Sequence, residues 1–194
     1  MDFEQDRKIF LESFPGVKTF QLFDDSEKKD RKKARLFHCT DELPMPWILR
    51  LENLNEQKIG IFLCINETNG NGRTIQDIVK IRAFFVDLDG SPLEPVIEYT
   101  PSMTVESSPG KFHAYWFTDD TPLESFTTFQ ESLAELFKGD KAVKDLPRVM
   151  RIPGFFHMKG APASMRGRPC PLKTTRGRSS CSTRRRPSRA PALK

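Results

Sequence analysis

The chain has 194 residues, which is enough for one folded domain and a tail, and its hydrophobic fraction of 37% can supply a core. No stretch approaches the roughly 18 apolar residues that a membrane span needs, and the first ten residues lack the apolar run of a secretory signal. The formal net charge of +5 is misleading, because residues 164–194 hold ten Lys or Arg and no Asp or Glu. We therefore expect a cytoplasmic protein without membrane contact, whose acidic body (residues 1–163) has no wide phosphate-binding face.

The first half of the chain predicts helices and short strands in alternation. Phe3, Phe10 and Phe14 recur at near-helical spacing before a Pro-Gly pair, which predicts a helix over residues 3–14. Further helices are expected at 46–54 and, with Thr74 as N-cap, at 74–80. Short apolar runs predict strands at residues 17–23, 36–39 and 60–66. The charged segment 24–35 is typical of a solvated loop or hairpin; the alternative is a ribbon that contacts nucleic acid.

The second half contains the clearest patterns. Residues 81–89 (IRAFFVDLD) predict a buried strand, and residues 103–107 and 111–117 predict a hairpin around Ser-Pro-Gly. Residues 121–137 predict the longest helix, with Thr121 and Glu124 as a capping box. The segment DLPRVMRIPGFFHMK, residues 145–159, is expected to be a loop-rich closing segment. Strands interleaved with helices predict an α+β fold, an α/β sandwich.

The last 31 residues differ in composition from the rest. Residues 164–194 contain no Phe, Trp, Tyr, Ile or Val, so they cannot bury a core and are expected to be disordered. One interpretation is a basic arm that binds nucleic acid. We favour a segment read out of frame or derived from cloning, because the composition changes abruptly after Lys159. The folded domain would then be residues 1–163, truncated at its C-terminus.

The four cysteines do not predict a metal site. Cys39, Cys64, Cys170 and Cys181 form no CxxC pair, and no His stands at zinc-finger spacing from them. We expect free thiols, with Cys64 inside a core strand.

Two carboxylates end the strand predicted at residues 81–89. Asp87 and Asp89 flank Leu88, and alternate side chains of a strand project from one face. Two carboxylates so close together repel each other unless they share a divalent cation, and hard oxygen ligands favour Mg²⁺ or Mn²⁺. The bland alternative is a strand that runs into an Asp-Gly turn.

Several cationic or polar side chains are candidates for contact with phosphates. His113 shares a strand face with Lys111 and Tyr115, whereas Phe112, Ala114 and Trp116 take the opposite face, which we expect to face the core. A lone histidine on a sheet is more often a structural hydrogen-bonding group, so its interest lies in its neighbours. The remaining candidates are Arg148, Arg151 and Lys159 for phosphates and Asp145 as a third metal ligand; ordinary surface ion pairs are the alternative.

The series FFVDLDG, TVESSPGKFHAYWF and DLPRVMRIPGFFHMK, in this order, resembles plasmid and phage RepB-type primases of the archaeo-eukaryotic primase (AEP) superfamily. The resemblance covers residues 59–159. It implies a modified RNA-recognition-type antiparallel sheet with an N-terminal α/β unit beside it. It also implies that Asp87, Asp89 and Asp145 bind catalytic metal, with Asp140 as the alternative third acid.

The resemblance further implies nucleotide contacts and an activity. His113 would contact the phosphates of the incoming nucleotide, although Lys111 stands where a Ser is usual; Arg148, Arg151 and Lys159 would neutralise the triphosphate. The implied activity is primer synthesis from nucleoside triphosphates on single-stranded DNA in plasmid or phage replication, with a replicative helicase as partner. The alternatives are a replication-initiation or single-strand-binding module with an inactive site, which the acidic body favours, and a metal-dependent nuclease.

Overall fold

The computed structural model describes residues 3–40, 42–157 and 172–173. It contains four α-helices, α1 (Phe3–Glu12), α2 (Met45–Glu56), α3 (Glu94–Ile97) and α4 (Phe126–Leu136). The ten strands are β1 (Lys18–Asp24), β2 (Arg35–Cys39), β3 (Ile59–Cys64), β4 (Glu67–Thr68), β5 (Ile78–Lys80), β6 (Ala83–Asp87), β7 (Met103–Ser108), β8 (Lys111–Phe117), β9 (Val149–Arg151) and β10 (Leu172–Lys173). No helix in these ranges is long and apolar enough to cross a membrane.

The strands form two antiparallel four-stranded sheets and one small ribbon. The first sheet has the order β2-β1-β3-β9, the second has the order β10-β7-β8-β6, and β4 pairs with β5. This arrangement confirms the predicted α+β class. The predicted hairpin is also confirmed: β7 and β8 pair around Gly110, whose φ of 73° suits a residue without a side chain.

One aromatic cluster joins α1 to the second sheet. The ring centroids of Phe10 and Phe14 lie 5.9 and 6.0 Å from that of Tyr115, and all three side chains are fully buried. Ala114, on the opposite face of β8, is also fully buried, and Trp116 stacks on Phe137 beside α4. Both faces of β8 are therefore covered. The face of Phe112, Ala114 and Trp116 packs on a core cluster, as predicted, and the face of His113 and Tyr115 is buried as well, which the sequence did not predict.

A buried arginine links the two sheets through hydrogen bonds. Arg82, just before β6, donates to six backbone carbonyls, the shortest bonds being 2.7 Å to Ile65 and 2.7 Å to Cys64. Burial lowers the pKa of its guanidinium to about 10, so the group stays charged at neutral pH. Because Cys64 ends β3 and Arg82 leads into β6, the end of the first sheet is tied to the start of the strand that carries Asp87.

Two local predictions were wrong. Residues 74–80 form a 3-10 turn, Ile75–Asp77, and then β5; Thr74 does cap this turn, in a capping box with Asp77. The hydroxyl of Thr121 bonds to that of Thr118 instead of capping, and a 3-10 turn, Leu123–Ser125, precedes α4. The described part of the closing segment is mostly loop, as predicted, and its one strand, β9, lies at the edge of the first sheet.

The predicted tail lies almost entirely outside the described residues. Within it, Leu172–Lys173 form β10 and pair with β7, so these two residues do have regular structure.

Candidate active site

Asp87 and Asp89 are brought together by a turn at the end of β6. β6 ends at Asp87, and Asp89 lies in the following turn with a φ of 36°, a left-handed conformation that Asp tolerates better than most residues. The backbone N–H of Asp89 donates to Oδ1 of Asp87 over 3.1 Å. The two carboxyls are therefore neighbours, but through an Asx-type turn and not through the strand alternation that the sequence predicted.

Lys111 neutralises part of this negative charge. Its Nζ donates to Oδ1 of Asp89 over 2.5 Å, and the two side chains are 48% and 61% exposed. The hydrogen bond to Asp89 and the charge of that carboxylate raise the pKa of Lys111, so it stays protonated. Because the pair is exposed, an incoming anion or cation can replace either partner at small cost.

His113 lies opposite Asp87 in the register of β6 and β8 and is buried. Its Nε2 is 3.7 Å from Oδ2 of Asp87, and its Nδ1 is 3.4 Å from the hydroxyl of Tyr115. Burial lowers the pKa of the imidazole, the charges of Arg151 and His157 lower it further, and Asp87 opposes them. A neutral ring that accepts from Tyr115 at Nδ1 carries its proton on Nε2, the atom that faces Asp87.

The outer edge of β6 is held by side-chain and loop contacts. β6 is an edge strand, and Gln130 of α4 pairs with it as a short strand would, accepting from Phe85 N and donating to Phe85 O, both over 3.0 Å. Two residues further along β6, the N–H of Asp140 donates to the carbonyl of Asp87 over 2.8 Å. These contacts fix the backbone that carries the two acids. A polar residue on the buried face of α4, between Phe126 and Ala134, was the sequence signal that could have revealed Gln130.

Arg151 is held in a buried ion pair. Its Nη1 and Nη2 lie 2.7 and 3.3 Å from the two carboxylate oxygens of Asp25, and its guanidinium stacks over Phe62 at 4.5 Å from the ring centroid. Its charge reaches His113, whose pKa it lowers. The sequence interpretation missed Asp25, which it treated as part of a solvated loop; the acid pair Asp24-Asp25 directly after an apolar strand was the available signal.

Arg148 and Asp145 form an ion pair with each other. The guanidinium of Arg148 contacts Oδ1 of Asp145 and the carbonyl of Ala142. Within residues 3–40, 42–157 and 172–173, no three His, Cys, Asp or Glu side chains are grouped closely enough to hold a metal. The structure thus does not bring Asp145 to Asp87 and Asp89. The alternative acid, Asp140, is tied to Asp87 through its backbone, and its carboxylate accepts from Ala142 N over 2.8 Å. Lys159 lies outside the described residues.

Asp87 and Asp89 nevertheless suit a hard divalent cation. Their side chains are 26% and 61% exposed, so both reach the protein surface. Carboxylate oxygens that leave room for water and for phosphate oxygens are the donors that Mg²⁺ and Mn²⁺ prefer.

Three solved structures of a primase-polymerase and of the primase RepB′ have a fold similar to that of this chain. The AEP domain of the cyanophage S-2L primase-polymerase superposes with a TM-score of 0.68 at 15% identity, covering 90% of this chain and 91% of that domain. The primase RepB′ gives 0.65 at 16% identity over 92% of this chain and 58% of its own length. The catalytic domain of RepB′ in complex with initiator DNA gives 0.58 at 15% identity, over 79% and 77% of the two chains. Comparison with curated protein sequences gives no match.

The family assignment rests on the amino-acid sequence. The profile of the RepB DNA-primase N-terminal domain matches residues 87–184, which begin at Asp87 and include part of the predicted tail. The boundary at residue 163 stays a prediction. Since the match spans just over half of the chain, this chain belongs to the RepB DNA-primase N-terminal domain family and has a primase-type role.

Proposed function

We propose that this protein is a template-dependent nucleotidyltransferase that makes primers on single-stranded DNA. The observation that carries the proposal is the grouping of Asp87, Asp89 and His113 at one end of the β6–β8 pair. This grouping places two accessible carboxylates beside a neutral hydrogen-bond donor. Nucleoside triphosphates and a single-stranded DNA template are the proposed substrates, and on the resemblance alone we also propose a replicative helicase as partner.

The chemistry needs a group that neutralises the triphosphate. Mg²⁺ or Mn²⁺ held by Asp87 and Asp89 would supply charge neutralisation and a more acidic primer hydroxyl. Asp145 is the proposed third ligand, and this role requires that it leave Arg148 and move toward the other two acids. The primer 3′-oxygen forms a bond to the α-phosphorus, the bond from that phosphorus to the bridging oxygen breaks, and pyrophosphate leaves with the electron pair. The hydroxyl proton passes to solvent.

The chain's own residues position and neutralise the triphosphate. Nε2–H of His113 would donate to a phosphate oxygen; the low pKa of this imidazole keeps it a single-proton donor at neutral pH. Lys111 would exchange its contact with Asp89 for a phosphate oxygen. Arg148, Arg151 and Lys159 are proposed to neutralise further phosphate charge, and for Arg148 and Arg151 this requires that the contacts to Asp145 and Asp25 be exchanged or shared.

De novo synthesis on single-stranded DNA with labelled nucleotides and Mg²⁺ or Mn²⁺ tests the proposal. The variant Asp87→Ala/Asp89→Ala should lose synthesis by at least about 100-fold, the scale expected when charge stabilisation at a reacting centre is removed. Asp119→Ala/Asp120→Ala is the matched control, because it deletes two adjacent exposed acids away from the site. Circular dichroism should show that both variants are folded.

Each outcome of this assay has a defined meaning. Synthesis at the wild-type rate in the Asp87→Ala/Asp89→Ala variant would overturn the metal assignment. A folded wild-type protein that makes no product would favour a binding module with an inactive site. Shortening of the DNA without triphosphates would identify a nuclease.

A further inference from the structure

Tyr115 lies beside His113 on one face of β8 and has no part in the proposed chemistry. Its side chain is fully buried, and its hydroxyl lies 3.4 Å from Nδ1 of His113. A buried hydroxyl without a hydrogen bond is costly in free energy, so buried tyrosines usually have a polar partner. The other ring nitrogen of His113, Nε2, lies 3.7 Å from Oδ2 of Asp87. The imidazole is therefore placed between a hydroxyl at one nitrogen and a carboxylate at the other.

The carboxylate of Asp87 determines the direction of the hydrogen bond between Tyr115 and His113. An ionised carboxylate only accepts hydrogen bonds, so the nitrogen that faces it, Nε2, is the one that carries the proton of a neutral ring. Nδ1 then has a free lone pair and accepts from the hydroxyl of Tyr115, which is the donor. This direction leaves Nε2–H at the end of β6, where the triphosphate is proposed to bind.

The hydrophobic core fixes the position of the Tyr115 ring. Phe10 and Phe14 of α1 meet this ring edge to face, at interplanar angles of 77° and 73°. Phe85 of β6 lies against it with centroids 6.1 Å apart, and all three phenylalanines are buried. In a close-packed core a ring with such neighbours cannot shift unless they shift as well. The position of the hydroxyl is thus set by the core and by α1.

We propose that Tyr115 is a positioning residue, whose hydroxyl holds the His113 ring with Nε2–H turned toward the incoming triphosphate. A hydrogen-bond donor stabilises developing charge best when its direction is fixed before the substrate binds. Because Tyr115 is fully buried, it acts through His113 and not on the nucleotide itself. The inference rests on the proposed function only for the identity of the anion; the contact between the two side chains does not depend on it.

Nitrogen NMR of the full chain with isotopically labelled histidine tests the contact and requires no activity. The variant Tyr115→Phe keeps the ring in the aromatic cluster and removes only the hydroxyl. Tyr99→Phe is the matched control, because Tyr99 is the other of the two tyrosines in the chain and is 41% exposed. Comparison with His113→Gln identifies the His113 signals among those of the three histidines.

The two ring nitrogens of His113 should give different signals. In the wild type, Nε2 should carry the proton, and Nδ1 should show the signal of a nitrogen that accepts a hydrogen bond. Tyr115→Phe should shift the Nδ1 signal toward that of a nitrogen without a hydrogen bond, whereas Tyr99→Phe should leave it unchanged. A wild-type ring that carries its proton on Nδ1, or an Nδ1 signal that is the same with and without the Tyr115 hydroxyl, would overturn the proposal.

A double-mutant cycle in the kinetics of synthesis shows whether Tyr115 acts through His113. We expect Tyr115→Phe to lower kcat/KM for nucleoside triphosphate by about 3- to 10-fold, the scale of one neutral hydrogen bond. In a His113→Ala background the same substitution should have no further effect, because the group that it positions is gone. Tyr99→Phe should stay within about twofold of wild type, and urea unfolding checks that each variant is folded. Equal effects of Tyr115→Phe in both backgrounds would show a purely structural role and overturn the proposal.

The two measurements separate this inference from the proposed enzyme activity. An Nδ1 signal that depends on the Tyr115 hydroxyl, in a protein that makes no product, would sustain the positioning of His113 and refute the polymerase. Synthesis by a wild-type protein whose Nδ1 signal is insensitive to that hydroxyl would sustain the polymerase and refute the role of Tyr115.

Discussion

The buried ion pair between Asp25 and Arg151 gives the sharpest test of how the site is supported. Both side chains are less than one-tenth exposed, at 8% and 9%, and they share two contacts of 2.7 and 3.3 Å. Removing one partner of a buried pair leaves an uncompensated charge and costs about 3–5 kcal/mol. Domains of this size have a free energy of unfolding of about 5–15 kcal/mol, so either single variant should lose a large share of its stability.

A double-mutant cycle isolates the interaction itself. We expect Asp25→Asn and Arg151→Met each to lower the free energy of unfolding by about 3 kcal/mol, and the double variant to lose clearly less than their sum. The coupling free energy should be at least about 2 kcal/mol, because in the double variant no charge is left unpaired. Urea unfolding followed by circular dichroism measures all three values, with an unchanged m-value as the check for two-state behaviour. Additive effects of the two substitutions, within about 0.5 kcal/mol, would refute the reasoning.

The same variants show whether Arg151 also contacts the nucleotide. A purely structural pair predicts that Asp25→Asn and Arg151→Met change the KM for nucleoside triphosphate equally. A phosphate contact predicts that Arg151→Met raises KM more, since Asp25→Asn leaves the guanidinium in place and frees it from its partner. The KM values are measured at a temperature well below the thermal unfolding midpoint of each variant.

Two further predictions concern the contacts of Gln130 with β6 and the buried thiol of Cys64 at the end of β3. Gln130→Leu deletes three buried hydrogen bonds, to Phe85 N, Phe85 O and Val143 O, and should lower the free energy of unfolding by about 2–4 kcal/mol; exposed Gln76→Leu should change it by less than about 0.5 kcal/mol. Burial raises the pKa of the Cys64 thiol to about 11, so in a Cys39→Ser/Cys170→Ser/Cys181→Ser variant iodoacetamide should label it slowly at pH 8 and rapidly after addition of urea. Equal labelling rates with and without urea would contradict the buried position.

The helices and strands that could be predicted from sequence are those whose alternation of buried and exposed residues shows in their own segment of the chain. The hairpin of β7 and β8 and the helices α1, α2 and α4 show periodic apolar residues bounded by Pro, Gly or Asn. β9 has only three residues and is a strand because it pairs with β3, 85 or more positions earlier in the chain. A segment whose structure depends on such a distant partner gives no periodic signal of its own.

The same distinction separates the site residues. Asp87 and His113 could be chosen from ordered motifs, and the register of β6 and β8 does place them opposite each other. Asp25 and Gln130 could not, because each acts through a contact that spans a large sequence separation, 126 residues to Arg151 and 45 residues to Phe85. Asp145 was chosen by its place in a motif; its pairing with Arg148 arises from a spacing of three residues that the sequence also shows.

The position of Asp87 on an edge strand connects stability with the proposed chemistry. An edge strand presents unpaired backbone groups to other chains, and proteins usually protect it. Here Gln130 satisfies the edge at Phe85 and the Asp140 N–H satisfies it at Asp87, so that the backbone beneath the acid is fixed without a neighbouring strand. A further strand at that edge would obstruct the turn that carries Asp89. Protection by a side chain and a loop leaves the turn accessible, and the proposed function would require this, because a polymer strand and a triphosphate would both have to enter the site.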